Sequence, residues 1–177
     1  DTGLTYRAVA AQMQADNMAL TNEEAAIKAA RKLNLAALDR EILSDHQIGA
    51  AASRVAVMPG LRAELVALQR KFASNGAVMD GRDIGTVVCP DAPVKLYVTA
   101  SAQARAQRRF EEVRSKGKLS SYAEILRDIR QRDERDSSRT VSPLEKAADA
   151  HLIDTTKMDI ETAFQAAKTL VLQAIGP

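Results

Sequence analysis

The stretch Asp80-Gly81-Arg82-Asp83-Ile84-Gly85-Thr86-Val87-Val88 carries the most information in this chain. It follows the apolar run 77–79, which we interpret as a short buried strand. A strand that ends in charged residues delivers them to the edge of a parallel sheet, where open α/β folds bind ligands. Arg82 suits a phosphate or carboxylate, and Asp80 and Asp83 accept hydrogen bonds from amino or hydroxyl groups. The segment indicates a nucleotide-type ligand, although a polar turn with self-paired charges remains the alternative.

Strands and helices alternate after this segment, which indicates an α/β protein with a parallel sheet. The predicted strands cover 77–79, 94–98 and 151–154, and the predicted helices that accompany them cover 102–116, 121–136 and 160–175. The earlier part of the chain is mostly helical, with helices predicted at 6–14, 23–33, 50–57 and 60–72. Three strands are few for so many helices, and residues 1–3 resemble a loop that follows a strand, so we expect one or two strands before residue 1.

Composition limits the class of protein. The 177 residues fit one compact domain, and 46% hydrophobic residues supply a core. A net charge of +2 and 3% aromatic residues argue against a membrane surface, bulk nucleic-acid binding and a base-stacking platform. One Cys and two His exclude a disulfide framework and a Cys/His zinc site. With no span or signal pattern, we expect a cytoplasmic monomer that binds neither nucleic acid nor membrane.

Charged residues crowd the end of the predicted helix 121–136. Arg132 and Asp136 are four residues apart, and Arg139 follows three residues later. If the helix continues, these side chains share one face, which would hold a phosphate with the arginines and a sugar hydroxyl with the carboxylate. An exposed helix with its own salt bridges has the same spacing, and spacing alone favours that alternative.

Two further sets of arginines suggest anionic partners. Arg105, Arg108 and Arg109 lie close together with few acids nearby in sequence, and they would repel one another unless an anion such as polyphosphate lay among them. Arg7 falls in the first turn of a helix, where a cation is mildly unfavourable and an anion is favoured. A solvated basic face and a surface arginine remain the respective alternatives.

Taken together, these segments resemble the bacterial cytidylate kinases, which are P-loop nucleoside-monophosphate kinases. The matching stretches are 1–3 with 6–7, 51–62, 80–88, 90–92, 132–139, 143–144 and 147–150. The resemblance spans nearly the whole chain, and the segment 80–88 is highly specific to that family.

The resemblance implies an α/β, three-layer P-loop fold whose parallel central sheet is flanked by helices. It implies one kinase domain over 1–177, with the acceptor-binding region inside the helical part at about 8–72 and the lid with its flanking helices at about 102–139. The Gly-x-x-x-x-Gly-Lys phosphate loop of the family is absent from the sequence. We therefore expect the first strand and that loop to precede residue 1, and no useful kinase activity from these 177 residues alone. Residues 34–53 resemble a shortened acceptor-binding region, so closure around CMP is expected to differ.

The activity that the resemblance implies is transfer of the γ-phosphoryl group of ATP to CMP or dCMP, with Mg²⁺, in pyrimidine nucleotide metabolism. The implied cytosine contacts are Ser53, Arg62 and Asp83. The implied sugar contacts are Tyr6, Arg132 and Asp136. The implied contacts of the acceptor phosphate are Arg7, Arg82 and Arg139. Thr2 would lie beside the nucleotide, and Asp80 would orient Arg82 or lie near the metal. The lid residues implied for ATP are Arg105, Arg108 and Arg109, and which of them touches ATP stays open.

Three other hypotheses compete with this one. The first is a related kinase for another monophosphate such as UMP, for which Ser53, Arg62 and Asp83 are the discriminating residues. The second is a nucleotide-binding fragment without catalysis. The third is an RNA-binding protein that uses its arginine-rich helices, and the near-neutral net charge argues against it.

Overall fold

The computed structural model describes residues 1–117 and 119–176. Contacts between residues divide the chain into two compact units. Unit 1 comprises 1–89 with 139–144, and unit 2 comprises 90–138 with 145–177. The single domain over 1–177 stays a prediction, and each unit is described by itself.

Unit 1 is helical, as predicted. Its helices are α1 (Gly3–Ala15), α2 (Glu23–Arg31), α3 (Arg40–Leu43), α4 (His46–Val55) and α5 (Pro59–Ala73). A single 3₁₀ turn, Leu35–Ala37, precedes α3. Asn22 caps α2, because its side chain accepts a hydrogen bond from the backbone N–H of Ala25 at 3.0 Å.

Small residues build the core of unit 1. The buried cluster combines Val9, Ala10, Met13, Ala26, Ala30, Ala51, Ala52, Val55, Met58, Leu61 and Leu65. Alanines let helix axes approach closely, and the fully buried Leu61 and Leu65 of α5 fill the space that remains. This packing holds α1, α4 and α5 rigidly, and those helices carry the candidate site.

The segment 77–88 does not form the predicted strand. Val78 is fully exposed, and no strand lies beside residues 77–79 within the described part of unit 1. A short apolar run becomes a strand only when a neighbouring strand bonds its backbone, so the prediction of a buried strand at 77–79 is wrong in this structure.

A π-helical turn, Ile84–Val88, follows Asp83 instead. The Asp83 carbonyl accepts hydrogen bonds from the N–H groups of Val87 at 2.9 Å and Val88 at 3.1 Å, and the Ile84 carbonyl accepts one from Cys89 at 2.7 Å. Single π-helical turns are rare and occur frequently at functional sites.

Unit 2 confirms the predicted α/β class with parallel pairing. Strand β1 (Leu96–Thr99) pairs in parallel with β2 (His151–Asp154), with Leu96 opposite His151 and Thr99 opposite Asp154. Helices α6 (Ala102–Ser115) and α7 (Tyr122–Ser137) lie between these strands in sequence, and α8 (Ile160–Ile175) follows β2.

Local signals set the helix ends of unit 2. Ser101 caps α6 by accepting a hydrogen bond from Ala104 at 3.1 Å, and Asp159 caps α8 by accepting one from Thr162 at 2.7 Å. Gly117 has a φ of 69°, a left-handed conformation that suits glycine after a helix. In the described part of the chain, no helix is both long and apolar enough to cross a membrane.

Replacing Leu65 by alanine is expected to lower the free energy of unfolding by about 2–5 kcal/mol, because it removes buried methyl groups and leaves a cavity. The matched control is Leu172→Ala in α8, where the side chain is 43% exposed and the expected loss is below about 1 kcal/mol. Urea denaturation at neutral pH measures both. Equal losses for the two variants would contradict the core described above.

Candidate functional site

A buried ion pair joins α5 to the residue that opens the π-helical turn. A nitrogen of the Arg62 guanidinium, Nη2, donates to Oδ2 of Asp83, and the two side chains are only 3% and 9% exposed. Arg62 Nη1 also donates to the carbonyl of Ala56 at 3.1 Å. Charges are retained at such burial only when pairing and hydrogen bonds offset the cost of desolvation. The pair therefore fixes the position of the Asp83 carboxylate.

Tyr6 of α1 lies against the same pair. Arg62 Cζ is 5.5 Å from the centroid of the Tyr6 ring, which is within cation–π distance. Burial raises the pKa of the Tyr6 hydroxyl to about 12, while the charge of Arg62 lowers it, that of Asp83 raises it and that of Arg139 lowers it. Tyr6 is thus a neutral hydroxyl at physiological pH. The charges of Arg62, Asp83 and Arg139 therefore all act on the Tyr6 hydroxyl within unit 1.

Two buried polar atoms on α4 and α5 have no hydrogen-bond partner among the described residues. They are Oγ of Ser53 on α4 and Nε of Arg62 on α5. Ser53 is 8% exposed, so water does not reach it freely. A buried polar group without a partner costs about 1–3 kcal/mol, and such atoms in a native protein need an explanation. A ligand with hydrogen-bonding edges would satisfy both atoms.

The segment before Asp83 is tied to the start of α1. The N–H and the hydroxyl of Thr2 both donate to the carbonyl of Asp80, at 2.9 Å and 2.8 Å. A Cβ added at Gly81 would lie 2.2 Å from the Thr2 hydroxyl oxygen, so this approach requires glycine. Arg82 follows with a half-buried side chain. Thr2 therefore lies against the segment that contains Asp80 and Arg82, and this segment leads directly to Asp83.

Arg7 has partners within the protein. Its Nη1 donates to the carbonyl of Leu43 at 2.7 Å and to that of Asp45 at 3.1 Å. A Cβ at Gly49 would lie 3.0–3.2 Å from the guanidinium, so the glycine leaves room for it. Arg7 therefore links α1 to the turn between α3 and α4, and its role toward a phosphate stays a prediction.

In unit 2, Arg132 and Asp136 lie on one face of α7, as predicted. Arg132 Nε is 3.7 Å from Asp136 Oδ2, and Asp136 is only 4% exposed. The ion pair of the salt-bridged alternative is therefore present, with a partly exposed arginine and a buried carboxylate, and the role of both residues toward a sugar stays a prediction. Arg139 would share that face only if the helix continued, and this condition is not met, because α7 ends at Ser137, close to the predicted end at 136.

The physical reason for that ending lies in the last turn of α7. The hydroxyl of Ser138 donates to the carbonyl of Glu134 at 2.6 Å, and the hydroxyl of Ser137 donates to it at 3.2 Å. Serine hydroxyls that bond nearby backbone groups compete with continuation of a helix. Arg139 therefore begins a separate segment, which belongs to unit 1.

The lid arginines are paired inside unit 2. Arg105 forms two hydrogen bonds to Asp133, at 2.9 Å and 2.7 Å, and Arg109 bonds Glu112 at 2.7 Å. Arg108 donates to the Thr155 hydroxyl at 3.1 Å and to the carbonyl of Met158 at 3.1 Å. The premise that acids are scarce around this cluster is wrong, so its charge does not by itself require an anion. Contact with ATP stays a prediction.

A family model described as cytidylate kinase matches residues 1–172. The chain belongs to the cytidylate kinase family. The cytidylate kinase of Brucella suis biovar 1 (strain 1330) is 56% identical to it over 178 residues, which cover 99% of this chain and 81% of that protein. The cytidylate kinase of Rhizobium meliloti (strain 1021) is 55% identical over 177 residues, or 99% of this chain and 84% of that protein. Membership in the cytidylate kinase family confirms the predicted P-loop α/β fold class.

Sequence reasoning missed two parts of the site. It did not predict the π-helical turn, and it did not single out Arg70, which bonds the carbonyls of Val87 and Val88 at the end of that turn. The spacing of the sequence could have indicated it. Arg70 follows Arg62 by about two helical turns on α5, so both side chains can reach the same neighbouring segment.

Replacing Asp83 by asparagine is expected to lower the free energy of unfolding by about 3–5 kcal/mol, because it leaves the buried Arg62 guanidinium without its counter-charge. The control is Glu64→Gln, which breaks the exposed pair of Arg31 and Glu64. Its expected cost is much smaller, because solvent screens an exposed pair. Urea denaturation compares them, and similar losses would show that the Arg62–Asp83 pair is not a buried structural constraint.

The pKa of Tyr6 predicts a pH dependence of stability. The folded protein keeps the Tyr6 proton up to about pH 12, whereas the unfolded chain releases it near 10. The contribution of the Tyr6 hydroxyl to the free energy of unfolding is therefore fully present below pH 10. It is lost as the pH rises toward 12, by on the order of 2 kcal/mol. Urea unfolding between pH 9 and 12 measures the slope, and Tyr6→Phe should flatten it. An identical slope for the two proteins would refute the shift.

Proposed function

We propose that this chain transfers the γ-phosphoryl group of ATP to CMP and dCMP, giving ADP and CDP or dCDP in pyrimidine nucleotide metabolism. The observation that carries the proposal is the buried Arg62–Asp83 pair, together with two buried atoms that lack hydrogen-bond partners among the described residues, Arg62 Nε and Ser53 Oγ. Family membership supports the reaction, and the pair supports the choice of base.

The hydrogen-bonding pattern of cytosine fits these groups. Cytosine carries ring and carbonyl acceptors and an exocyclic amine donor. Arg62 Nε and the Ser53 hydroxyl supply donors for the acceptors, and the Asp83 carboxylate accepts from the amine. Uracil has a carbonyl in place of that amine, so the same carboxylate would face an acceptor. Leaving buried polar groups unpaired makes such a site discriminate strongly between the two bases.

The remaining acceptor-site roles are proposed from the family resemblance. Arg7, Arg82 and Arg139 would bind the acceptor phosphate. Tyr6, Arg132 and Asp136 would bind the sugar. Thr2 would lie beside the nucleotide, and Asp80 holds the segment through its carbonyl. Asp136 is an acceptor suited to a sugar hydroxyl, and the Tyr6 hydroxyl stays neutral because burial raises its pKa.

The mechanism needs no protein nucleophile. An oxygen of the CMP phosphate attacks the γ-phosphorus of ATP in line, and the bond to the ADP oxygen breaks. Guanidinium groups around the acceptor phosphate offset the charge that would otherwise oppose the approach of two anions. Closure of the lid over ATP, with Arg105, Arg108 and Arg109 at its start, would exclude water as a competing acceptor.

Mg²⁺ is proposed to accompany ATP. Within residues 1–117 and 119–176, no three His, Cys, Asp or Glu side chains converge into a metal site. The described side chains therefore do not fit a protein cage for the ion. We further propose that the protein acts as a monomer in the cytoplasm.

Calorimetry on these 177 residues, and an assay coupled to ADP release on the full-length natural protein, test the proposal together. CMP and dCMP are expected to bind at least tenfold more tightly than UMP and to be phosphorylated in preference to it. Ser53→Ala is expected to weaken CMP binding by about fivefold, because a neutral hydrogen bond to the base is lost. Ser74→Ala, at an exposed serine after α5, is the matched control and should bind as the unaltered protein does.

Equal or better binding and turnover of UMP or AMP would overturn the assignment of the base. Binding of CMP without ADP release would favour the alternative of a nucleotide-binding protein without catalysis.

A further inference from the structure

Arg70 holds the far end of the π-helical turn. In the last turn of α5, its Nε donates to the carbonyl of Val88 at 3.0 Å, and its Nη2 donates to the carbonyl of Val87 at 2.6 Å. Carbonyls at the end of a helical turn have no partner within it, and the planar fork of one arginine satisfies both. Val88 itself is 2% exposed, so this end of the turn is also packed.

The near end of the same turn is held by the same helix. Arg62 of α5 bonds the side chain of Asp83, whose carbonyl begins the turn. Residues 62 and 70 are about 12 Å apart along the axis of α5, since each residue adds about 1.5 Å. The segment 83–88 is therefore attached to one rigid helix at two separated points.

The conformation of this turn makes the second attachment matter. A π-helical turn is rare because its backbone is less favourable than that of an α-helix, and it persists where the surroundings hold it. If the end at Val87 and Val88 were released, the turn would be free to tighten into an α-helical one. That change would rotate Asp83 and move its carboxylate relative to Arg62.

We propose that Arg70 is a positioning residue for recognition of the acceptor base. It touches no ligand in this role, and it acts by fixing the turn that presents the Asp83 carboxylate to the base. The inference rests on the proposed function, because it concerns the contact between Asp83 and cytosine. A merely structural role for Arg70 would affect stability and leave the preference for the base unchanged.

The test compares Arg70→Gln and Arg70→Lys with Lys71→Gln, a neighbouring exposed cation on α5. Calorimetry measures the Kd of each folded variant for CMP and for UMP, and thermal unfolding is recorded in parallel. Arg70→Gln is expected to weaken CMP binding about tenfold and to reduce the ratio of UMP Kd to CMP Kd, because small misplacement of a binding group is costly. Arg70→Lys keeps one donor and should fall between Arg70→Gln and the unaltered protein. Lys71→Gln should match the unaltered protein.

Arg70 variants that are less stable but keep the CMP affinity and the preference over UMP would overturn the inference. If Arg70→Gln does not fold, Arg70→Lys decides by the same ratio. Failure of the unaltered protein to prefer CMP would overturn the proposed function, and the inference with it. A preference that is present in the unaltered protein and undiminished in the Arg70 variants would overturn the inference alone.

Discussion

The buried pair of Arg62 and Asp83 is the interaction on which the candidate site depends. Removing two charges from water is costly, so the pair persists only if α5 and the segment around Asp83 are held in a fixed relation. The carbonyl of Ala56 takes a second donor of Arg62, and the ring of Tyr6 covers the guanidinium. These contacts leave one donor of Arg62, Nε, without a partner among the described residues, and the buried Ser53 hydroxyl also lacks one. The arrangement is preorganised for a ligand that supplies what the protein does not.

Rigidity at this pair comes from ordinary packing elsewhere. In the alanine-rich cluster of unit 1, α1 packs against α2 and α4, and α5 packs against α2. Helices α1, α4 and α5 each contribute a side chain to the site. Hydrogen bonds from Thr2 to the Asp80 carbonyl hold the segment before Asp83 against the start of α1. The absence of a side chain at Gly81 leaves room for this contact. A well-packed core therefore holds a few polar atoms in fixed positions. Because these atoms are already ordered, less conformational entropy is lost when a ligand binds.

The arginines of this chain show why a count of basic residues does not measure charge available to a phosphate. Arg7 bonds two backbone carbonyls, Arg105 grips Asp133 with two donors, and Arg109 bonds Glu112. Each guanidinium has several donors in a fixed plane, so it can brace the protein and still present an edge to an anion. One arginine can therefore hold neighbouring protein groups with some of its donors and leave others for a phosphate.

The sequence by itself determined the long helices, their caps and the strand 151–154, because hydrophobic spacing and capping residues such as Asn22 and Asp159 act within a few residues. Its motifs also sufficed to indicate the family, since the order and spacing of 80–88 and the other segments survive without coordinates. Only the tertiary structure decided whether 77–79 forms a strand, that 84–88 is a π-helical turn, and that Arg105 meets Asp133. These outcomes depend on partners that lie far along the chain: a neighbouring strand, the two arginines of α5, and a carboxylate 28 residues away. Local preferences cannot specify such partners, because long-range packing brings them together.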